Sequence, residues 1–133
     1  MPVLASGHAA ALWTGLHLFL LVALSARVVR LRQAHRVALG DGGVPALVHA
    51  IRAFGNASEY VPAGLAAVAL MAVLGVHPAV VHAAGGVLFA GRVSHAVGLS
   101  RSGEASPLRA IGVTLTWLAY LFAGAALLVY AVV

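Results

Sequence analysis

An all-α bundle of four membrane-spanning helices is the fold this sequence predicts, and three observations carry it. Only 8% of the 133 residues are charged, against about 25% in a soluble domain, which is too little to coat a water-facing surface. Mean hydropathy is +1.03 and 62% of the residues are hydrophobic. Three stretches, Met1–Ala26, Tyr60–Gly91 and Ala110–Val133, contain no Asp, Glu, Lys or Arg. A disulfide scaffold is excluded because there is no cysteine, and the hydrophobicity excludes disorder. The apolar runs are continuous and rich in Ala and Leu rather than alternating, which disfavours a β-barrel.

A hydrocarbon core of about 30 Å takes about 20 helical residues, so the chain holds four spans comfortably and five only with strain. The middle charge-free stretch is too long for one span, and His77-Pro78 interrupts it. The residue before a proline is pushed out of the helical region, so Val76-His77-Pro78 reads as a tight turn. The predicted helices are 6–36, 45–75, 78–100 and 106–132, in a single transmembrane domain covering 1–133. Gly40-Asp41-Gly42-Gly43 marks the first loop, and Ser100 to Ser106 the third. Pro62 is expected either to kink the second helix or end an extension of it, or to be tolerated as membrane prolines are.

Positive charge follows the first apolar segment rather than preceding it, so that segment does not read as a signal peptide. Arg27, Arg30, Arg32 and Arg36 lie around the first loop, Arg101 and Arg109 around the third, and the second loop and both tails carry no charged side chain. By the positive-inside rule, loops one and three face the cytoplasm and both termini lie on the other side. The formal net charge of +5 comes from eight arginines and no lysine. No aromatic-interleaved polar surface accompanies them, so nucleic acid is not an expected partner. Membrane lipid is, because arginines at helix ends anchor to anionic head groups, and a planar guanidinium also suits carboxylate or phosphate ligands.

Polar residues placed where lipid should be are the candidates for function. Arg52, Asn56, Glu59 and Tyr60 are spaced i, i+4, i+7 and i+8 on one helix face. Charged residues so placed should face protein or water. They can grip a zwitterionic ligand from both ends, or clamp helices together. Arg92 and His95 sit one turn apart on the third helix, and Arg109 opens the fourth. With Arg30 and Arg32 on the first helix, all four helices bring arginine to one membrane level. The chain has only three acids, Asp41, Glu59 and Glu104, and an unpaired buried charge is expensive, so an anionic ligand from outside the chain is the economical reading. No two histidines are spaced for metal ligation and no Glu-x-x-His pair occurs, so no metal is expected. Gly85-Gly86 and Gly91 read as close helix contacts.

These residues resemble the family of membrane-associated proteins in eicosanoid and glutathione metabolism (MAPEG). Arg52-Ala-x-x-x-Asn56-x-x-Glu59-Tyr60-x-Pro62 is similar to its second-helix signature, especially in the leukotriene-forming branch. Gly91-Arg92-Val-Ser-His95, Val29-Arg30-Leu31-Arg32 and Pro107-Leu-Arg109 resemble the prostaglandin-type branch, and Leu39-Gly40-Asp41-Gly42-Gly43 the small bacterial branch. The resemblance covers nearly the whole chain, in order.

It implies a homotrimer in a bacterial inner membrane that binds glutathione between subunits on the cytoplasmic side and admits lipophilic small molecules from the bilayer. Arg52, Asn56, Glu59 and Tyr60 would then hold glutathione as co-substrate, with Glu59 on its α-amino group. Arg30 or Arg32 and Arg92 would meet its carboxylates, and His95 would line the site. Arg109 would be the catalytic residue, stabilising the thiolate for conjugation or peroxide reduction. Leu99 and Val113 stand where the family carries tyrosines, and Ala110 where the prostaglandin-type branch has serine, which argues against that isomerase chemistry. Two other functions remain open: a non-catalytic lipid- or glutathione-binding protein of the same fold, and a small transporter using Glu59 as a proton-coupled carboxylate.

Overall fold

The computed structural model describes residues 2–101 and 103–132. Four helices run in sequence: α1 Pro2–His35, α2 Pro45–Val73, α3 Pro78–Arg101 and α4 Pro107–Val132. Each is long and apolar enough to cross a membrane. α2, α3 and α4 each open on a proline, whose fixed φ and missing N–H suit the first helical position. Ser106 caps α4, its hydroxyl accepting the Arg109 N–H at 3.4 Å and its carbonyl the Ala110 N–H. His77 caps α3 in the same manner, through Nδ1 to the Ala79 N–H and through its carbonyl to Val80 and Val81.

The boundaries differ from expectation by two residues at most, apart from α1, which begins four residues earlier. At the end of α2, Gly75 adopts a φ of 71°. The Gly75 and Val76 N–H groups bond back to Ala72 and Met71, closing a Schellman motif that ends the helix at Val73 rather than residue 75. The tight turn is therefore Leu74-Gly75, and His77 belongs to the cap of α3. α1 ends in the same motif, but its left-handed residue is Arg36, with a φ of 55°, where glycine would be the low-cost choice. Pro62 does not end α2, which continues through it for eleven more residues.

α2 and α3 form the diagonal of the bundle. Each packs against both outer helices, while α1 and α4 do not touch among the described residues. The outer pair accordingly carries most of the exposed large side chains, including Phe19 at 77%, Leu121 at 72% and Leu128 at 71%, as expected where the solvent is hydrocarbon. All eight arginines and all three acids lie in the half of the bundle that holds loops one and three. The other end carries the second loop and both chain ends without a charged side chain.

Two apolar cores fill the interior. One, near the uncharged end, gathers Ala9, Val68, Met71, Val76, Val81, Ala84 and Ala123. The other, near the charged end, gathers Leu24, Ala53, Ala57, Val61, Ala96 and Leu99. The small residues serve approach rather than freedom: a Cβ on Gly85 would lie 2.3 Å from the Trp13 ring, so the glycine provides the flat surface against which α1 packs on α3. Between the cores lies a polar layer containing His17, Arg92 and Thr116, all buried. His17 donates from Nδ1 to the Trp13 carbonyl at 2.7 Å and lies edge-on to Phe89.

Candidate functional site

Arg92 is the centre of the polar layer. It is 1% exposed, because Gly91 and Gly112 let α3 and α4 come close enough to enclose it. A Cβ on Gly112 would stand 2.5 Å from the His95 backbone nitrogen. The guanidinium spends its donors on neutral partners. Nε donates to Thr116 Oγ1 at 2.9 Å, Nη1 to Asn56 Oδ1 at 2.8 Å, and Nη2 reaches towards the Gly112 carbonyl at 3.5 Å. Its Cζ stands 4.9 Å over the Tyr60 ring, a cation–π position. Thr116 passes the network on by donating to the Gly112 carbonyl at 2.8 Å. The Tyr120 hydroxyl donates to the Tyr60 carbonyl, fixing the stacked ring from α4. A guanidinium stays charged in a protein interior, and here hydrogen bonds and an aromatic face offset its desolvation. Arg92, Asn56 and Tyr60 are thus brought together, but around one another.

The four second-helix candidates form one arc, and the bundle divides it. At about 100° per residue, Glu59, Arg52, Asn56 and Tyr60 follow one another around α2 in that order. Asn56 and Tyr60 turn inwards to Arg92, while Arg52 and Glu59 are exposed on the outer face. Neither Arg52 nor Glu59 has a hydrogen-bonding or ionic partner among the described residues. On the α1 flank of that face, Arg30 lines a groove with Leu21, Val22, Ser25, Phe54 and Ser58, about 610 Å³ in volume. Arg32 donates to the Gly40 carbonyl at 2.7 Å and so braces the first loop.

His95 and Arg109 come together elsewhere, in a pocket of about 390 Å³ between α3 and α4 that Ser106, Ala110, Val113 and Thr114 complete. Arg109 is held from behind: its Nη1 donates to the carbonyls of Gly103 and Glu104 at 3.0 and 2.7 Å. Nε and Nη2 make no hydrogen bond among the described residues. Gly98 allows this arrangement, since a Cβ there would lie 2.9 Å from the Arg109 backbone nitrogen. The pocket therefore presents a fixed cation, an imidazole and two hydroxyls at the charged end. One chain does not gather the nine candidates at one place. Arg92, Asn56 and Tyr60 form the cage, and His95 and Arg109 share the α3–α4 pocket. Arg52 and Glu59 lie on the outer face of α2, Arg30 lines the α1–α2 groove and Arg32 braces the first loop.

Thr116, Tyr120, Ser106 and Thr114 were not anticipated as parts of these sites. The signal for the threonines was present, because Thr114 and Thr116 are polar interruptions in a helix otherwise apolar after Arg109. Leu99 is buried in the charged-end core beside Leu24 and Ala96, so the hydroxyl missing there is replaced by packing. Val113 lies on the pocket wall next to Thr114, whose hydroxyl is one residue displaced from the family's tyrosine position.

Comparison with known proteins agrees with this architecture. Residues 10–129 match the model of the MAPEG family. The chain is 41% identical over 111 residues to "Inner membrane protein YecN" of Escherichia coli strain K12, covering 84% of this chain and 83% of that protein. The protein of the same name from Escherichia coli O6:H1 strain CFT073 matches to the same extent. With four membrane-crossing helices and these relatives, the chain is a multi-pass inner membrane protein. On the match to nearly its whole length, the chain belongs to the MAPEG family.

Proposed function

We propose that the protein is a membrane-bound glutathione transferase, which holds the glutathione thiol as a thiolate for attack on lipophilic electrophiles. The observation that carries this is the Arg109–His95 pocket: a guanidinium held by two loop carbonyls, with donors to spare, at the charged end of the bundle. A free thiol has a pKa near 8.5 and an adjacent cation lowers it, raising the share of the nucleophilic form. Family membership and the resemblance of the second-helix signature support glutathione as the tripeptide in this reading.

The outer face of α2 supports a shared site. Arg52 and Glu59 are a cation and an anion on one exposed face near membrane depth, where unpaired charges are costly. In the reading proposed here they meet the carboxylate and α-amino groups of glutathione, with Arg30 alongside. That face and the Arg109 pocket lie on different flanks of one chain, so completing the site takes a second subunit, in the homotrimer the family resemblance implies. Arg92 acts behind the ligand, holding the Tyr60 ring and Asn56 in place.

A second reading, a non-catalytic binder of the same fold, is favoured by one observation. Leu99 and Val113 remove two hydroxyls from the family pattern, and the first of these positions is filled by core packing. Calorimetric titration of glutathione into the detergent-solubilised protein separates these possibilities from the absence of a site. The proposal expects saturable binding that weakens about tenfold or more in both Arg52→Ala and Glu59→Gln, since a charge-assisted hydrogen bond contributes about 1.5–3 kcal/mol. Saturable binding without turnover of any electrophile would favour a glutathione binder, and no heat of binding would overturn the transferase and leave only the lipid-binding form of the second reading.

A further inference from the structure

Three arginines, Arg27, Arg36 and Arg101, take no part in the site described above. Arg27 and Arg101 stand at the charged end of a groove between α1 and α3 that Leu20, Leu24, Val93, Ala96, Val97 and Ser100 complete, with a volume of about 340 Å³. The groove runs from Leu20 to Arg27 along α1, which is about 10 Å at 1.5 Å per residue. Its deep end is hydrocarbon and its mouth is cationic. Arg27 is fixed there: Nη2 donates to the Ser100 carbonyl at 3.2 Å, one of the carbonyls a helix leaves unpaired in its last turn. That bond orients a half-buried guanidinium across the top of the groove, and its other donors make no hydrogen bond among the described residues. Arg101 is exposed beside it, and the groove lining contains no acid.

We propose that the α1–α3 groove is a binding site for an anionic glycerophospholipid, with an acyl chain along Leu20, Leu24, Val93 and Val97 and the phosphate between Arg27 and Arg101. Charge complementarity selects this occupant. A neutral lipid or a second copy of this apolar helix surface would leave two cations at the mouth uncompensated, whereas a phosphodiester takes a forked pair of N–H donors. The depth agrees as well, because Arg27 lies one turn deeper than Arg30, at the level where a guanidinium reaches the head-group region along its own stem. Basic pockets between helices on the positively charged side of a membrane protein have this general property. The lipid would occupy the flank of α1 opposite the α1–α2 groove of Arg30, and so does not depend on the glutathione reading.

Native mass spectrometry of the detergent-solubilised protein, with equimolar phosphatidylglycerol and phosphatidylcholine added, tests the proposal. Each arginine near an anionic head group contributes about fivefold in affinity, so the pair should favour phosphatidylglycerol about thirtyfold. Arg27→Ala/Arg101→Ala should abolish that preference, while Arg36→Ala, at the same end but outside the groove, should keep it. Val97→Trp fills the groove and leaves both charges in place. It should reduce retention of phosphatidylglycerol while the melting temperature shows the bundle intact. Equal retention of the two lipids by the unmodified protein would overturn the proposal. So would a preference that survives the double variant, or phosphatidylglycerol retention that Val97→Trp leaves unchanged.

Discussion

Arg92→Ala is expected to be the most damaging single truncation in the bundle, lowering stability by about 3–5 kcal/mol. The removed side chain leaves a cavity, and the oxygens of Asn56 and Thr116 lose their donor, at about 1–3 kcal/mol per unsatisfied buried group. The companion variants separate charge from shape. Arg92→Lys keeps the charge but cannot span Asn56 Oδ1 and Thr116 Oγ1 from one ammonium, because it lacks the planar fork. Arg92→Met keeps much of the volume, so it loses the same two hydrogen bonds as Arg92→Ala without the full cavity. Thermal melting in detergent should therefore rank Arg92→Ala below both. An Arg92→Ala protein that melts like the unmodified one would show that the α2–α3–α4 cage does not hold the bundle.

Gly112→Ala is expected to separate α3 from α4. A Cβ there would meet the His95 backbone nitrogen at 2.5 Å and the Gly91 carbonyl oxygen at 2.7 Å. Backbone atoms cannot turn aside as a side chain end can, so the helices must move. Overpacking of this kind costs about 1–3 kcal/mol, set against the gain of about 1 kcal/mol when alanine replaces glycine within a helix. Gly124→Ala, in the same helix with nothing within 4 Å of its Cβ, supplies the reference and should be neutral or stabilising. Movement at Gly112 also displaces Thr116 and His95, so glutathione affinity should fall together with stability. If the two glycine variants melt alike, the close α3–α4 contact is not what encloses Arg92.

How far the sequence carries depends on whether an interaction lies within one element or between elements. Helix number and position follow from the charge-free stretches and from Pro45, Pro78 and Pro107, because hydrocarbon imposes length and apolarity on each span separately. The end of α2 has the same kind of cause, since Gly75 in the left-handed region, rather than His77-Pro78, stops the helix. Spacing also gave the arc Glu59, Arg52, Asn56, Tyr60. It did not show that the arc straddles the bundle edge, with two members inside and two out. That division depends on how α2 is rotated against α3 and α4, which periodicity along α2 does not encode. For Arg92, the expectation of an external anion came from counting acids. Its charge is instead met by an amide, a hydroxyl, a carbonyl and an aromatic face, and two of those come from α4, whose register against α3 is set by Gly91 and Gly112.

The central claim is that Arg109 makes glutathione a thiolate at neutral pH. Its most direct test is the ultraviolet absorption of the thiolate when glutathione is added to the solubilised protein near pH 7, with Arg109→Ala measured beside it. An unperturbed thiol would be only about 3% ionised there, whereas one lowered by about two units would be mostly ionised. The account predicts a thiolate signal that saturates with glutathione in the unmodified protein and is lost in Arg109→Ala, while calorimetry still detects binding to the variant. Saturable glutathione binding without any thiolate signal, or a signal that persists in Arg109→Ala, would contradict it.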